Sequence, residues 1–296
     1  MTAKPAGAAD AGLDDIGVPS DGELGAVRGP SAFGGSARRF VDLLWLSSSI
    51  EFRARYSATF LGYVWTVVRP LIFFGLIFLV IRGILGFGKN IPNYGPMLIL
   101  NLVLFQYFSE ATARALRSVT SKEGLVRKMQ FPRIVIPLSV SLTAGFTLLL
   151  NLLAVFPLFL ISGLEPRWSW LGLIVIILGL ALLTTGLSLI LSVAFVRSED
   201  VGEAWLLLSR MLFYASPILY PIEKVPESVR SLVAVSPLSP LLEQARVWMI
   251  DPSAPTPVEV AGPWLGLIIP LLLTIAICAF GLWLFDREAP RVAEAL

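Results

Sequence analysis

Several stretches of this chain stay apolar for longer than a soluble domain needs, and they dictate the fold class before any motif is considered. From Val64 the sequence runs VWTVVRPLIFFGLIFLVIRGIL, long enough as a helix to cross a hydrocarbon core of about 30 Å. Comparable runs predict about six crossings, near 63–84, 96–116, 134–162, 170–196, 202–221 and 263–285. The third is long enough to tilt or kink, with Pro137 and Pro157 as the places to do so. At 56% hydrophobic residues and a mean hydropathy of +0.78, a soluble protein of this length is excluded. The expected fold is all-α, a polytopic membrane protein.

The flanks differ in character. Residues 1–36 are rich in Ala, Gly, Pro and Asp without periodicity, the composition of a disordered tail. They contain no apolar run followed by a small-residue cleavage site, so the first crossing is expected to serve as an uncleaved insertion signal. Residues 37–60 mix Leu43, Leu44, Trp45, Leu46, Ile50 and Phe52 with Asp42, Glu51, Arg53 and Arg55. This pattern suits an amphipathic helix lying in the membrane interface. The transmembrane body then occupies 61–286, with 287–296 as a short tail. Arg38, Arg39, Arg53 and Arg55, the 117–133 connection with Arg117, Lys122, Arg127, Lys128 and Arg133, then Arg197, Arg287 and Arg291 all fall on one side of six crossings. The opposite side is poorer in short-loop cations, which puts both termini in the cytoplasm of a multi-pass inner-membrane protein.

Much chemistry is excluded. The chain has no histidine, which removes imidazole bases, relays and metal ligands. Its single cysteine, Cys278, lies in an apolar run and allows neither an internal disulfide nor a thiolate cluster. The segment Gly83-Ile-Leu-Gly-Phe-Gly88-Lys89-Asn90 approaches a phosphate-binding loop. It has Asn90 where a Mg²⁺-binding hydroxyl belongs, and no strand precedes it, so a glycine-rich turn is the better reading. Glu199, Asp200 and Glu203 cluster where a helix begins, a placement that helix capping and the dipole favour over catalysis. Glu110 and Arg114 stand four apart, the spacing of an intrahelical ion pair, while Asn101, Gln106 and Asn151 suit interhelical hydrogen bonds.

Two connections carry more information. Between the second and third crossings the chain reads ALRSVTSKEGLVRKMQFPRIVIPL: a short charged helix, Gly124 and a basic cluster. Such a loop either enforces topology or forms a knob that fits a motor subunit. Between the fifth and sixth crossings, Pro217, Pro221, Pro226, Pro237 and Pro240 cut an apolar segment into pieces too short to cross, about 226–236 and 239–250. Short apolar pieces of this kind read as re-entrant or interfacial helices.

Three stretches, in order, resemble the permease subunits of type-2 ABC exporters for lipid-linked polysaccharides and teichoic acids. They are Arg55–Tyr56…Leu61–Gly62…Trp65…Pro70; Lys128…Phe131–Pro132–Arg133…Pro137–Leu138; and Ser216–Pro217…Tyr220–Pro221…Val225–Pro226…Ser236–Pro237–Leu238–Ser239–Pro240. The resemblance covers about 40–285. It implies a half-transporter: two copies of the chain, each with a separate ABC ATPase subunit, around one channel for a lipid-linked glycan. ATP and Mg²⁺ then belong to the partner ATPase, no cofactor belongs to this chain, and no nucleic-acid partner is expected beside the membrane lipids. The resemblance also assigns the amphipathic stretch and the 117–133 connection to the ATPase interface, with Lys122, Glu123, Gly124, Arg127 and Lys128 in ATPase coupling. It assigns the 222–250 segment, with Pro217, Tyr220, Pro221, Pro226, Pro237 and Pro240 at its breaks, to an external gate. A type-2 exporter for a drug or small lipid shares the same plan, and a membrane glycosyltransferase is the alternative outside transport.

Arg210 is the residue that most needs an explanation. It lies about ten residues beyond Asp200, roughly 15 Å into the core at 1.5 Å per residue. An arginine at that depth requires a partner or water. It either pairs with a carboxylate such as Glu110 or lines the conduit, where guanidinium suits phosphate. Trp65 and Arg69 are expected nearer the entrance, although snorkelling accounts for Arg69 equally well.

Overall fold

A computed structural model of the chain describes residues 37–56, 61–89, 91–122, 124 and 132–295. Among these residues the secondary structure is helical throughout, with no strand. The protein is an all-α polytopic membrane protein. Its helices are α1 (Ala37–Tyr56), α2 (Leu61–Phe78, continued by a wider π-helical stretch, Leu79–Ile84), α3 (Tyr94–Leu116), α4 (Val135–Ile161) and α5 (Gly172–Arg197). They are followed by α6 (Asp200–Ala215), α7 (Glu227–Val235), α8 (Leu238–Met249), α9 (Pro257–Pro263) and α10 (Ile269–Ala295).

Among the described residues, four helical stretches are long and apolar enough to cross a membrane: Gly62–Ile84, Val135–Ile161, Trp168–Arg197 and Pro257–Glu288. The other two expected crossings are built differently. The α3 helix has 23 residues, about 34 Å at 1.5 Å per residue, and is buried along nearly its whole length. Because protein surrounds it, it can carry Asn101, Gln106, Ser109, Glu110 and Thr112, which lower its apolarity below that of its neighbours.

The expected crossing over 202–221 is corrected. Helix α6 stops at Ala215, and the chain continues to Pro221 as a non-helical strap. Pro217 explains the stop. It has no N–H for a helical bond and disfavours helical geometry at the residue before it, and Ser216 is indeed extended at φ −88° and ψ 154°. Past the sixth crossing the short tail is helical, since α10 continues to Ala295. The stretch FDREAPRVAEA is rich in strong helix formers, which outweigh Pro290. A break at Gly262, with φ 76°, separates α9 from this final helix. Only glycine takes that backbone freely.

The core sits around α3. Tyr94, Leu98, Leu100, Leu104 and Phe108 are fully enclosed there by residues of α4, α5 and α8, among them Leu148, Leu152, Leu180, Leu183 and Leu242. Helices α5 and α10 approach most closely through small residues. A side-chain carbon on Gly281 would stand 2.4 Å from the carbonyl oxygen of Gly186, and one on Gly186 would stand 2.7 Å from the Cα of Cys278. Without a driving force to separate helices from lipid, backbone-to-backbone packing of this kind holds spans together.

A smaller apolar cluster joins Phe40 of α1 with Val119, Ile134, Ile136, Leu189, Val193 and Phe285. The start of α1, the first residues after α3, the start of α4, the end of α5 and the late part of α10 therefore meet at one end of the bundle. Arg197 reaches Glu288 at 2.7 Å there. This is the basic end, the one that carries the cation bias read from sequence.

A cation-lined cavity between three helices

Helix α1 lies along α4. Thr143 donates to the carbonyl of Ser48 at 3.3 Å, Tyr56 and Thr147 share a hydroxyl bond of 3.1 Å, and Trp45 and Phe52 meet Phe146 edge-on. Its other face leaves Val41, Leu46 and Ile50 exposed, with Arg38, Arg39 and Arg53 outward as well. That is the expected interfacial amphipathic helix.

One turn separates Glu51 from Arg55, so both project from the same side of α1. Glu51 accepts from Lys122 at 2.8 Å, and Arg55 reaches Glu110 on α3. Glu110 also takes Nε of Arg114 at 3.1 Å, the intrahelical pair expected from spacing. Arg55 keeps its Nη1 buried without a partner and lies with its guanidinium carbon 5.2 Å from the Tyr56 ring centre.

Glu110 forms part of the wall of a cavity of about 650 Å³. Arg69, Pro70 and Phe73 line it from α2; Phe105, Gln106, Ser109 and Glu110 from α3; Ser209, Arg210, Phe213 and Tyr214 from α6. Ser109 and Ser209 hydrogen-bond across it at 3.1 Å. Deeper, Trp205 donates its indole N–H to Thr112 at 3.1 Å and fixes α6 against α3. The structure thus brings Arg69 and Arg210 to one chamber. Trp65, one turn earlier on α2, is 54% exposed and is not part of the lining.

The alternative that pairs Arg210 with Glu110 is not realised: Glu110 is engaged by Arg55 and Arg114, and no carboxylate among the described residues pairs with Arg210. Among the lining residues Glu110 is the one acid. Arg55 and Arg114 pair with it and the charge of Arg69 also acts on it, so with Arg210 as well the chamber keeps an excess of positive charge. Guanidinium groups in such a setting bind phosphate or carboxylate through paired N–H donors.

At the far end of the bundle the proline-broken segment is packed, not loose. Pro226 and Pro237 stand immediately before α7 and α8, and Pro240 lies in the first turn of α8. This is where proline's fixed φ and missing donor do least harm. The strap from Ser216 to Ile222 is held by side chains. Asn101 donates to the carbonyl of Pro217 at 3.0 Å, Tyr94 donates to that of Leu219 at 2.7 Å, and Tyr220 donates to that of Tyr214 at 2.8 Å. The N–H of Ile222 donates to Glu243 at 2.8 Å.

Glu243 belongs to a buried charge cluster. Arg246 sits between Glu223, at 2.8 Å, and Glu243, at 3.3 Å. Burial pushes the Glu243 carboxyl up to about 7, against the pull of Arg246. Sequence reading passed over this cluster. Its signal was an acid and a base three apart in an otherwise apolar helix, a spacing that puts both on one face.

Several expected site residues fall elsewhere. Glu123, Arg127 and Lys128 lie outside the described residues, and so does Asn90. Gly124 is exposed. Glu199, Asp200 and Glu203 stand at the start of α6 with no side-chain cap, so their match to the helix is one of charge. Gly83 and Ile84 end the π-helical stretch, and the residues from Leu85 to Lys89 form a turn in which Gly86 and Gly88 take φ of 69° and 81°.

The family comparison matches residues 42–250 to the ABC-2 type transporter family. The chain belongs to that family. The match runs from α1 through α8 and so contains Arg55, Arg69, Glu110, Arg210 and the whole strap. Membership makes this chain a membrane transport subunit, as the three motif stretches implied. The chain is 29% identical over 202 residues to the O-antigen export system permease protein RfbA of Klebsiella pneumoniae, covering 68% of this chain and 77% of that one. It is 27% identical over 259 residues to RfbA of Myxococcus xanthus, covering 83% and 92%. With the polysialic acid transport protein KpsM of Escherichia coli it shares 25% identity over 205 residues, covering 66% and 76%.

Proposed function

We propose that this ABC-2 permease exports a lipid-linked polysaccharide across the inner membrane, with the α2–α3–α6 chamber as part of its conduit. The observation that carries this reading is the chamber itself: two arginines that form no salt bridge among the described residues, Arg69 and Arg210, among Phe73, Phe105, Phe213 and Tyr214. Cations suit the phosphate of a lipid-linked glycan, and aromatic faces suit sugar rings and acyl chains. The names of the relatives, O-antigen export and polysialic acid transport, point to the same class of cargo.

The chain has no nucleotide loop of its own in this reading, and a separate ABC ATPase supplies the work. The 117–133 connection and the α1 helix tied to it through Lys122 face that ATPase at the basic end, which is cytoplasmic together with both termini. A second copy of the chain covers the outer faces of α2 and α6. Ile72, Leu76, Leu207 and Met211 are all exposed there, so the conduit lies between the two chambers. The strap and α7–α8 close its external end.

The test is reconstitution. The permease is purified with an ABC ATPase from the same organism, placed in proteoliposomes, and offered a lipid-linked glycan from the inside-equivalent face. ATP-dependent appearance of the glycan on the opposite face is expected. A stable complex that hydrolyses ATP but moves only small amphiphiles would reassign the cargo.

A further inference from the structure

A second cavity, of about 410 Å³, opens at the end of the bundle remote from Glu110. It lies between α2, α3 and α4 and shares no lining residue with the arginine chamber, which is on the α6 side of α2. Its body is apolar: Phe74 and Phe78 form one wall, and Leu158 and Phe159 the other. Its mouth is polar, with Arg82 and Asn93, and opens beside Ile161, which is 82% exposed. From Phe74 to Arg82 the slot follows α2 for roughly 12 Å, at 1.5 Å per residue.

The backbone is rebuilt just where Arg82 sits. Over Leu79–Ile84 the helix widens to π geometry, and Leu85 and Phe87 donate back to Val80 and Ile81 at 2.9 Å each. Such widening is rare and concentrates at functional positions. It holds Arg82 with its guanidinium carbon 5.4 Å from the Phe78 ring centre. An arginine that merely snorkels extends away from the bundle towards water; this one rests on an aromatic ring at the mouth of the slot. No carboxylate among the described residues pairs with it.

The arrangement is an apolar groove of acyl-chain shape ending in an uncompensated cation, between two helices that span the bilayer. We infer that this cavity binds an anionic phospholipid of the surrounding bilayer, its phosphate on Arg82 and one chain between Phe78 and Phe159. Charge complementarity selects the occupant. A neutral lipid fills the slot equally well but carries no net negative charge for Arg82, whose guanidinium suits a lipid phosphate. The separation from the arginine chamber marks the lipid as a fixed component of the wall and not as cargo. Bound there, it would fill the space between α2 and α4.

The test uses the full chain with its ATPase in detergent, titrated with phosphatidylglycerol or phosphatidylcholine, and counts retained lipids by native mass spectrometry. Wild type should retain phosphatidylglycerol roughly fivefold more strongly, the worth of one arginine against one anionic head group. Arg82→Ala should bring the two lipids level, while Arg82→Lys keeps part of the preference. Leu158→Trp, which fills the slot and leaves the cation in place, should release the lipid even if Arg82→Ala does not yield stable protein. No preference in wild type, or a preference that survives both Arg82→Ala and Leu158→Trp, would overturn the inference.

Discussion

Lys122 donates to Glu51 across 2.8 Å, joining the first residues of the 117–133 connection to the interfacial helix α1. One turn on, Arg55 carries the same helix to Glu110 in the wall of the arginine chamber. The two pairs thus link this connection, through α1, to the chamber wall on α3. Both members of the Lys122–Glu51 pair are about a quarter exposed, so the pair adds little stability, on the order of 0.2–1 kcal/mol. Its effect should appear in coupling. Lys122→Glu and Glu51→Lys are each expected to reduce export per ATP hydrolysed with normal membrane levels, and the double swap should restore most of it. A double swap no better than the single reversals would separate the pair from coupling.

The contact between α5 and α10 leaves no room for a methyl group. Gly281→Ala places a carbon 2.4 Å from the Gly186 carbonyl oxygen and should cost about 1–3 kcal/mol, the usual range for overpacking. Thermal unfolding in detergent would show it as a lowered midpoint. Gly75→Ala, where nothing lies within 4 Å, is the control. It should be neutral or slightly stabilising, because alanine favours helix.

The strap depends on two side chains from α3. Tyr94→Phe removes the donor to Leu219, and Asn101→Ala removes the donor to Pro217. Each should cost about 1 kcal/mol or somewhat more, since a buried carbonyl loses its partner. Hydrogen exchange at Ile218, Leu219 and Tyr220 should quicken in both variants, with little change in α4 or α5. Unchanged exchange would mean that packing alone holds the strap.

Glu243 sets a pH dependence on the far-end segment. Its folded value, about 7, is raised from 4.5 by burial. A raised acid binds its proton more readily folded than unfolded, so it favours folding below 4.5 and loses that contribution as pH rises through 7. Local stability of α8 should therefore be greater at pH 5.5 than at pH 8. Glu243→Gln should flatten that difference, read by exchange protection of residues 238–249 across the two pH values. A difference that persists in Glu243→Gln would place the titration elsewhere.

The fold was legible where hydropathy is local. The spans at 135–161 and 172–197 fall within a few residues of their expected limits, because length and apolarity alone define them. The proline breaks likewise predicted α7 and α8, since proline acts on its own backbone and on the residue before it. The strap was misjudged because apolar residues from Ile218 to Tyr220 extend the hydropathy signal past Pro217. The ion pairs were harder. Glu51 meets Lys122 across 71 positions and Arg55 meets Glu110 across 55, and no periodicity connects residues so distant. The depth of Arg210 is a property of one helix and can be read from sequence, whereas its sharing a chamber with Arg69, and the engagement of Glu110 by Arg55 and Arg114 instead, follow only from how α1, α2, α3 and α6 pack.

Export by Arg210 variants tests the conduit most directly. With the ATPase present, Arg210→Ala should lower glycan export roughly ten- to a hundredfold, the range for losing hydrogen bonds to a charged partner. Arg210→Lys should fall between, keeping charge but not the planar fork. Membrane level and ATPase association should stay near wild type in both, because Arg210 holds no ion pair within the described chain. Undiminished export in both variants, at normal protein levels, would contradict a conduit through this chamber.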